Sequence, residues 1–373
     1  MKGMRRFILD LQLKSPVHVG LGADHDHPAY AYLPDQERNE VVLLDPTRLV
    51  VELEESRRRV FLEAVASGPV RAQRLLRDWY KEGVPLPVVG RLPASQAFLR
   101  TVETASGNAE LDFRPLPRSI KGPYLPASSV KGALRTAWLY AELEPILEEN
   151  DLVFDPRSHE WHEESKRDDE GMIRPHNGGL WEAQSLEAYA LGYLGKRRPD
   201  MYKDPFRAVR LGDGPALSTT RLERVGVVHP QNRLKDVAIL AEVIPQGTRL
   251  RLPLRHHEAL VQENIVSKSI APEELGEAAR VFYFGVLEAE WEYAEENGWN
   301  KAAQFYAELA KEIENHEDVF PLRFGFGSGK VANTLLFLLD EPWPKTRKAA
   351  GSSEPYLGIP LGWAVGKLIE HKQ

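Results

Sequence analysis

The chain has 373 residues, of which 42% are hydrophobic and 28% charged, and it contains no Cys. That balance is globular rather than disordered and leaves room for two domains; it excludes a disulfide framework and a thiolate metal site. A net charge of −7 argues against a protein that coats nucleic acid indiscriminately. The charge is uneven, however. Glu142 to Glu170 is strongly acidic, whereas Lys196 to Arg224 is rich in Lys and Arg, so an acidic and a basic face are both expected. Met1 to Phe7 lacks the apolar core of a signal peptide, and no run approaches ~20 apolar residues. A soluble, cytoplasmic protein without membrane contact is the expectation.

Phe7, Leu9, Leu11 and Leu13 alternate with Ile8, Asp10, Gln12 and Lys14, the period of a strand with one buried face. Ser15-Pro16 stops it, and Gly20 and Gly22 mark a turn. Asp24-His25-Asp26-His27 suggests metal, but a polar loop is the commoner origin of such a cluster, and no metal or cofactor is expected. Val41 to Leu44 reads as a strand. Thr47 to Lys81 is helical in pattern and split into two helices by Gly68-Pro69. Glu110 to Leu116 is a candidate strand.

Lys121 to Thr136 is the most informative stretch. Pro126 keeps the chain extended, Ser128 or Ser129 offers an N-cap, and Ala133, Leu134, Ala137, Trp138 and Leu139 continue with helical spacing, predicting a helix over 129–149. Lys131 and Arg135 are four apart and share a face. No acidic residue lies between Arg114 and Tyr140. A helix start presents unpaired N–H groups and partial positive charge, the chemistry that holds a phosphate, and Gly132 leaves room for a backbone to approach. An ordinary capped helix with two solvated cations explains the same spacing.

Asp155 to Gly179 is polar and reads as a mobile insertion dispensable for folding; its His159-Glu160-Trp161-His162 lacks the zinc-protease spacing. Leu186 to Leu194 is a short apolar segment. Val209 to Leu211 and Glu223 to Val228 read as strands, and Ala238 to Val243 with Thr248 to Leu254 as a hairpin across Ile244-Pro245-Gln246-Gly247. Pro272 to Asn297 is a long amphipathic helix begun by Pro and Glu, followed by a helix over Asn300 to Asn315. Phe324-Gly325-Phe326-Gly327-Ser328-Gly329-Lys330 is a glycine-rich loop. Val331 after Lys330 excludes a Walker A loop, and Gly329 comes one residue early for a dinucleotide fingerprint. Such a loop can lay N–H groups on phosphates, or bend only for packing. Asn333 to Leu339 reads as a buried strand, and Lys345 to Glu354 as a polar excursion before Pro360 to Trp363.

Four of these stretches together resemble the CRISPR-associated RAMP superfamily. Pro126 to Arg135, with serines before Lys131-Gly132-Ala133-Leu134-Arg135, is similar to its helix-start signature. Leu11 to Gly22 resembles its first strand and glycine turn, and Phe324 to Lys330 its glycine-rich loop. Asp204-Pro205-Phe206-Arg207-Ala208-Val209-Arg210 resembles the mid-chain signature of one family in it, the fifth subunits of the type III-A Csm effector complex. The resemblance implies an α+β fold of two ferredoxin-like (RRM-like) domains. The first would span 1–200, with a helical insertion at about 47–100 and the polar loop 155–179; the second would span 201–373 with the loop at 324–330.

It also implies a non-catalytic RNA-binding subunit that caps the backbone filament at the 3′ end of the CRISPR RNA and supports its maturation in antiviral defence. The implied partners are that RNA, the backbone RAMP subunit, the small subunit and host nucleases that trim the 3′ end. Lys121, Ser128, Ser129, Lys131, Gly132, Arg135, Arg207, Arg210, Gly325, Gly327, Ser328, Gly329 and Lys330 are the residues expected at the RNA, with Tyr124 either stacking on a base or serving the core. Two alternatives remain: a RAMP-type endoribonuclease with His18 as acid or base, for which no second group stands at meaningful spacing, and the equivalent subunit of a type III-B complex.

Overall fold

The alternating apolar residues near the N-terminus build the centre of the largest sheet. Met4–Leu13 is a strand whose Phe7, Leu9, Leu11 and Leu13 are buried. It pairs antiparallel with Arg249–His257 on one side and Trp363–Glu370 on the other. Val209–Leu211 and Phe320–Arg323 form the two edges of this five-stranded sheet. The computed structural model describes residues 4–106, 109, 111–149, 152–155, 160–163, 187–188, 190–193, 200–230, 234–334, 346–350 and 358–371. A cut between 1–200 and 201–373 passes through this sheet, because its middle strand comes from the first part and its neighbours from the second.

Two helices cover the inner face. Ala127–Glu149 and Pro272–Glu296 pack on each other and against the sheet, and Leu134, Ala137, Phe282, Val286 and Leu287 join Leu9, Leu11 and Leu252 in one core. Each fully buried Leu, Val or Phe among them contributes roughly 1.5–3 kcal/mol. Asn300–Glu314 packs outside Pro272–Glu296. These helices fall where their periodicity places them, since both bury a continuous apolar side.

The second sheet runs Ile359–Pro360, Arg347–Ala350, Arg221–Val228, Leu234–Val243 and Phe113–Arg114, with the last strand parallel to its neighbour. Here the expected hairpin is corrected. Leu234–Val243 pairs with Arg221–Val228, and Arg249–His257 with the N-terminal strand. Ile244 to Gly247 carries the chain from one sheet to the other, held by reciprocal backbone bonds between Val17 and Ile244 of 3.0 and 2.8 Å. Both strands are real; their partners are remote in sequence. The candidate strand over Glu110 to Leu116 shrinks to Phe113–Arg114.

A third sheet, Tyr32–Asp35, Glu40–Leu44 and Val88–Pro93, belongs to a helical module that packs against the second sheet, with Tyr32 and Val41 in one cluster with Leu222 and Leu240. Thr47 to Lys81 forms three helices rather than two: Pro46–Glu52, Glu55–Ala66 and Pro69–Lys81. The first is capped by Asp45, whose Oδ1 accepts from the N–H groups of Thr47 and Arg48 at 2.9 and 3.0 Å, and the additional break comes at Leu53, whose backbone is extended. Gln96–Thr104 follows, capped by Ser95. Of the polar insertion, only the hairpin strands Leu152–Asp155 and Glu160–Glu163 lie within the described residues. Asn333 ends a short helix, Gly329–Asn333, instead of opening a strand; residues 335–339 lie outside the described ones.

The first core also encloses charge. Glu290 and Arg323 are 2% and 1% exposed. Glu290 lies 3.2 Å from Arg323 Nη1 and 2.6 Å from Arg347 Nε, and the Arg323 guanidinium stacks on Trp363 at 5.2 Å. Removing one member leaves a buried charge uncompensated. Glu290→Ala is therefore expected to cost about 3–5 kcal/mol, read as a lowered urea midpoint with an unchanged m-value. A loss below about 1 kcal/mol would show that solvent already reaches the cluster.

Candidate functional site

The helix start and the mid-chain signature prove to be two halves of one arrangement. The helix begins at Ala127, two residues earlier than expected, and the Ala127 N–H donates to Asp213 Oδ1 at 2.8 Å. The cap is thus a carboxylate from a remote loop, not Ser128 or Ser129, which are exposed and half-buried respectively. Lys131 Nζ donates to the carbonyls of Phe206 and Val209 at 2.9 and 2.7 Å, and burial lowers its pKa. Arg135 pairs with Glu187 and, at 3.0 Å, with Asp204, and lies over the Phe206 ring at 4.9 Å. Burial alone lowers the Arg135 pKa, but the hydrogen bond to Asp204 and the charge of Glu187 outweigh it and raise it overall. Asp204 Oδ1 also accepts from the Phe206 N–H at 2.8 Å.

In place of an open phosphate cradle, the helix start, Lys131 and Arg135 are engaged by the chain's own oxygens. The reason is topological: Glu187 and the segment from Asp204 to Asp213 lie against this end of the helix. Gly132 remains exposed. Lys121 is exposed in the turn between the short strands Arg118–Ser119 and Gly122–Pro123, beside fully exposed Ile120. Arg207 is exposed, over the Tyr202 ring at 5.6 Å. Arg210 is exposed on the edge strand. Tyr124 is half-buried, its N–H bonded to the Pro117 carbonyl at 3.0 Å.

A second arrangement surrounds the glycine-rich loop. Glu242 is fully buried. Its carboxylate accepts from the Leu116 N–H at 3.0 Å, from Arg118 at 2.7 and 2.8 Å, and from Thr220 Oγ1 at 2.5 Å. Its backbone carbonyl accepts from His18 Nδ1 at 2.7 Å. A carbonyl cannot donate, so the proton sits on Nδ1. The His18 carbonyl in turn receives the Phe326 N–H at 2.8 Å. Gly325 has φ +81°, and a Cβ there would stand 2.5 Å from the His18 oxygen, so this glycine is required by close packing. Ser328 is 1% exposed; its Oγ donates to the Gly325 carbonyl at 2.6 Å and accepts from Asn333 Nδ2 at 2.7 Å. Gly327 lies against Leu361, whereas Gly329 is open and exposed.

Phe326 within the loop is half-buried: its ring meets the His18 ring edge-on at 5.7 Å and packs beside Val225, Ala241, Ala350 and Leu361. The Arg114 guanidinium lies 4.9 Å from its ring centroid and Lys348 Nζ 4.1 Å, both within cation–π range. Burial lowers the Lys348 pKa, and the charge of Arg114 lowers it further. Lys330 is exposed at the loop's end, and a cleft of about 300 Å³ is lined by Lys330, Thr346, Arg347, Lys348 and Glu290 with the loop glycines. Among the described residues no carboxylate pairs with Arg114, Lys330 or Lys348. A partly exposed ring flanked by cations suits a stacked base and its phosphates. Sequence reasoning missed Arg114 and Lys348, which are 234 positions apart in a 373-residue chain; the lack of acidic residues after Arg114 was the only local signal.

His18 is fully buried, and burial holds its imidazole below the usual range. His27 of the Asp/His cluster is likewise taken into packing: its Nε2 donates to the Ala31 carbonyl at 2.9 Å and its ring lies 4.7 Å from Phe113. No cluster of three or more metal-ligating side chains occurs among the described residues, and no described helix is long and apolar enough to cross a membrane.

The model of the family described as the RAMP superfamily matches residues 10–332. A chain in the cryo-EM structure of a Csm–crRNA–target RNA ternary complex of a type III-A CRISPR-Cas system is similar, with TM-score 0.67 and 21% identity, covering 98% of this chain and 100% of that one. The crystal structure of T. onnurineus Csm5 is similar with TM-score 0.65 and 20% identity, covering 95% and 99%. Among curated proteins none matches.

Two outcomes follow from the geometry. Asp213→Ala should lower stability by about 1 kcal/mol through loss of the cap, while Ser128→Ala and Ser129→Ala leave the Tm unchanged; the reverse order would restore a serine cap. Because the His18 pKa is depressed in the folded chain, the unfolded chain takes up the proton first. Stability is then full above the unfolded value of about 6.5 and declines as pH falls through it toward the folded value. Urea unfolding at about pH 7 and about pH 5, on either side of that value, should show a smaller acid loss in His18→Asn than in the parent chain, and equal losses would remove His18 as a source.

Proposed function

The chain belongs to the RAMP superfamily, and from that premise we propose that it is a non-catalytic RNA-binding subunit of a type III-A CRISPR effector complex. In this reading it caps the backbone filament at the 3′ end of the CRISPR RNA and supports 3′-end maturation in the cytoplasm. Its partners are the neighbouring backbone RAMP subunit, the small subunit and host nucleases that trim the RNA. The likeness over 98% of the chain to a component of a Csm–crRNA–target RNA complex supports the assembly.

The observation that carries RNA binding is the Phe326 ring flanked by Arg114 and Lys348, the latter also lining the cleft beside Lys330. Lys330 and, elsewhere on the surface, Lys121 and Arg207 meet phosphates, while the Phe326 ring receives a base. Gly325, Gly327, Ser328 and Gly329 shape the loop, and Ser128, Ser129, Lys131, Gly132 and Arg135 build the helix start that residues 204–210 lock in place. The non-catalytic part rests on His18, whose ring is buried and whose Nδ1 proton is committed to the Glu242 carbonyl; a general acid or base must reach the reacting group.

Binding to phosphates of this kind is electrostatic and tolerates sequence. In a salt titration of single-stranded RNA binding, the Arg114→Ala/Lys348→Ala chain should bind more weakly to every sequence tried, with a salt slope reduced by about 0.7 for each phosphate that is no longer neutralised. Lys131→Ala should instead lower thermal stability. Unchanged RNA affinity in the double variant would overturn the site, and cleavage of labelled RNA by the purified chain with divalent metal, abolished by His18→Ala, would overturn the non-catalytic reading.

A further inference from the structure

The outer face of the five-stranded sheet carries a charge pattern that neither the core nor the loop site uses. Arg210 stands opposite Arg255, and Arg255 opposite Arg6, so three arginines lie in one row across three neighbouring strands. All three are exposed, and among the described residues none has a carboxylate within ion-pair distance. Like charges directly opposite one another weaken a sheet. Arginine is also the side chain suited to paired carboxylate contacts.

The next row on the same face is apolar: Pro253, Ile8 and Ile369 stand side by side, and Ile369 is 40% exposed. The row beyond returns to charge, with Arg251, Asp10 and Lys367 in register. Asp10 is shared between Arg249 at 2.7 Å and Arg251 at 3.5 Å, and both arginine side chains remain about two-thirds exposed, at 65% and 68%. Lys367 is itself paired with Asp318; successive same-face rows are two residues apart, about 6.7 Å, so the arginine row and this mixed row flank the apolar one at a separation of roughly 13 Å. An α-helix with its side chains is about 10–12 Å across.

We propose that this face docks an amphipathic helix of a protein partner, its apolar side laid on Pro253, Ile8 and Ile369 and its acidic flanks directed to Arg6, Arg210 and Arg255 on one side and to the exposed Arg249 and Arg251 on the other. The apolar centre rimmed by arginine is interface anatomy, and the fit to a helix width sets the occupant. A single-stranded RNA is disfavoured because the three rows present no aromatic ring for stacking. The surface is distinct from the loop site at Phe326 and stands or falls independently of it.

The test uses the full chain and three fluorescent probes. These are a helical peptide with a leucine stripe flanked by glutamates, a peptide of the same composition with the stripe scrambled, and a single-stranded RNA oligonucleotide. The striped peptide should bind at least tenfold more tightly than the scrambled one. Its affinity should fall at least tenfold in Arg255→Ser and also in Ile8→Ser, with both variants matching the parent chain in circular dichroism and Tm. Arg255→Lys keeps charge without the planar fork and should retain part of the affinity. Equal binding of the two peptides, indifference to Ile8→Ser, or loss of RNA rather than peptide binding in Arg255→Ser would each overturn the proposal.

Discussion

Glu242 is the residue on which the end of the molecule that carries the glycine-rich loop depends. Its buried carboxylate joins the Leu116–Arg118 approach to the long helix and Thr220 to the end of the strand Leu234–Val243, and its backbone carbonyl adds the His18 turn. A buried charge is costly unless its oxygens are fully bonded, and here the guanidinium, hydroxyl and backbone N–H do so together. The connection continues through the backbone of His18 to Phe326, so the position of the glycine-rich loop is set by hydrogen bonds that begin at Glu242. The loop thereby holds Phe326 against the His18 ring and the small cluster of Val225, Ala241, Ala350 and Leu361, with its own backbone tied at Gly325 and Ser328.

A similar economy governs the helix start. Residues that look like ligand contacts in isolation are internal fasteners. Lys131 binds two carbonyls of a turn that would otherwise leave them buried and unpaired. Arg135 and Asp204 then fix the turn's other side. The two signature stretches therefore belong to one structural unit, and each needs the other.

How much of this was legible varies with range. The N-terminal strand and the Pro272–Glu296 helix follow from periodicity, because burial of one face leaves its mark every second or every third to fourth residue. Breaks written in Pro and Gly, as at Gly68-Pro69, were legible too. Partner choice was not. The strands ending at Val243 and beginning at Arg249 have the composition of a hairpin, and nothing local reveals that one pairs with residues 221–228 and the other with residues 4–12. The helix cap was misassigned to the nearest serines because Asp213 lies 86 positions from Ala127. The cations around Phe326 were invisible for the same reason: Arg114 and Lys348 come together only once the second sheet is assembled.

The central place of the N-terminal strand has a consequence for biosynthesis. The ribosome makes Met4–Leu13 well before its two neighbours, Arg249–His257 and Trp363–Glu370. The strand must remain unpaired on both edges until the chain has grown past Arg249, with Phe7, Leu9 and Leu11 uncovered. Long-range pairing of this kind is slow, and exposed strand edges invite association with other chains. Nascent chains of this protein are thus natural clients for a chaperone that shields extended apolar segments, and they become self-protecting only when the last strand closes the sheet.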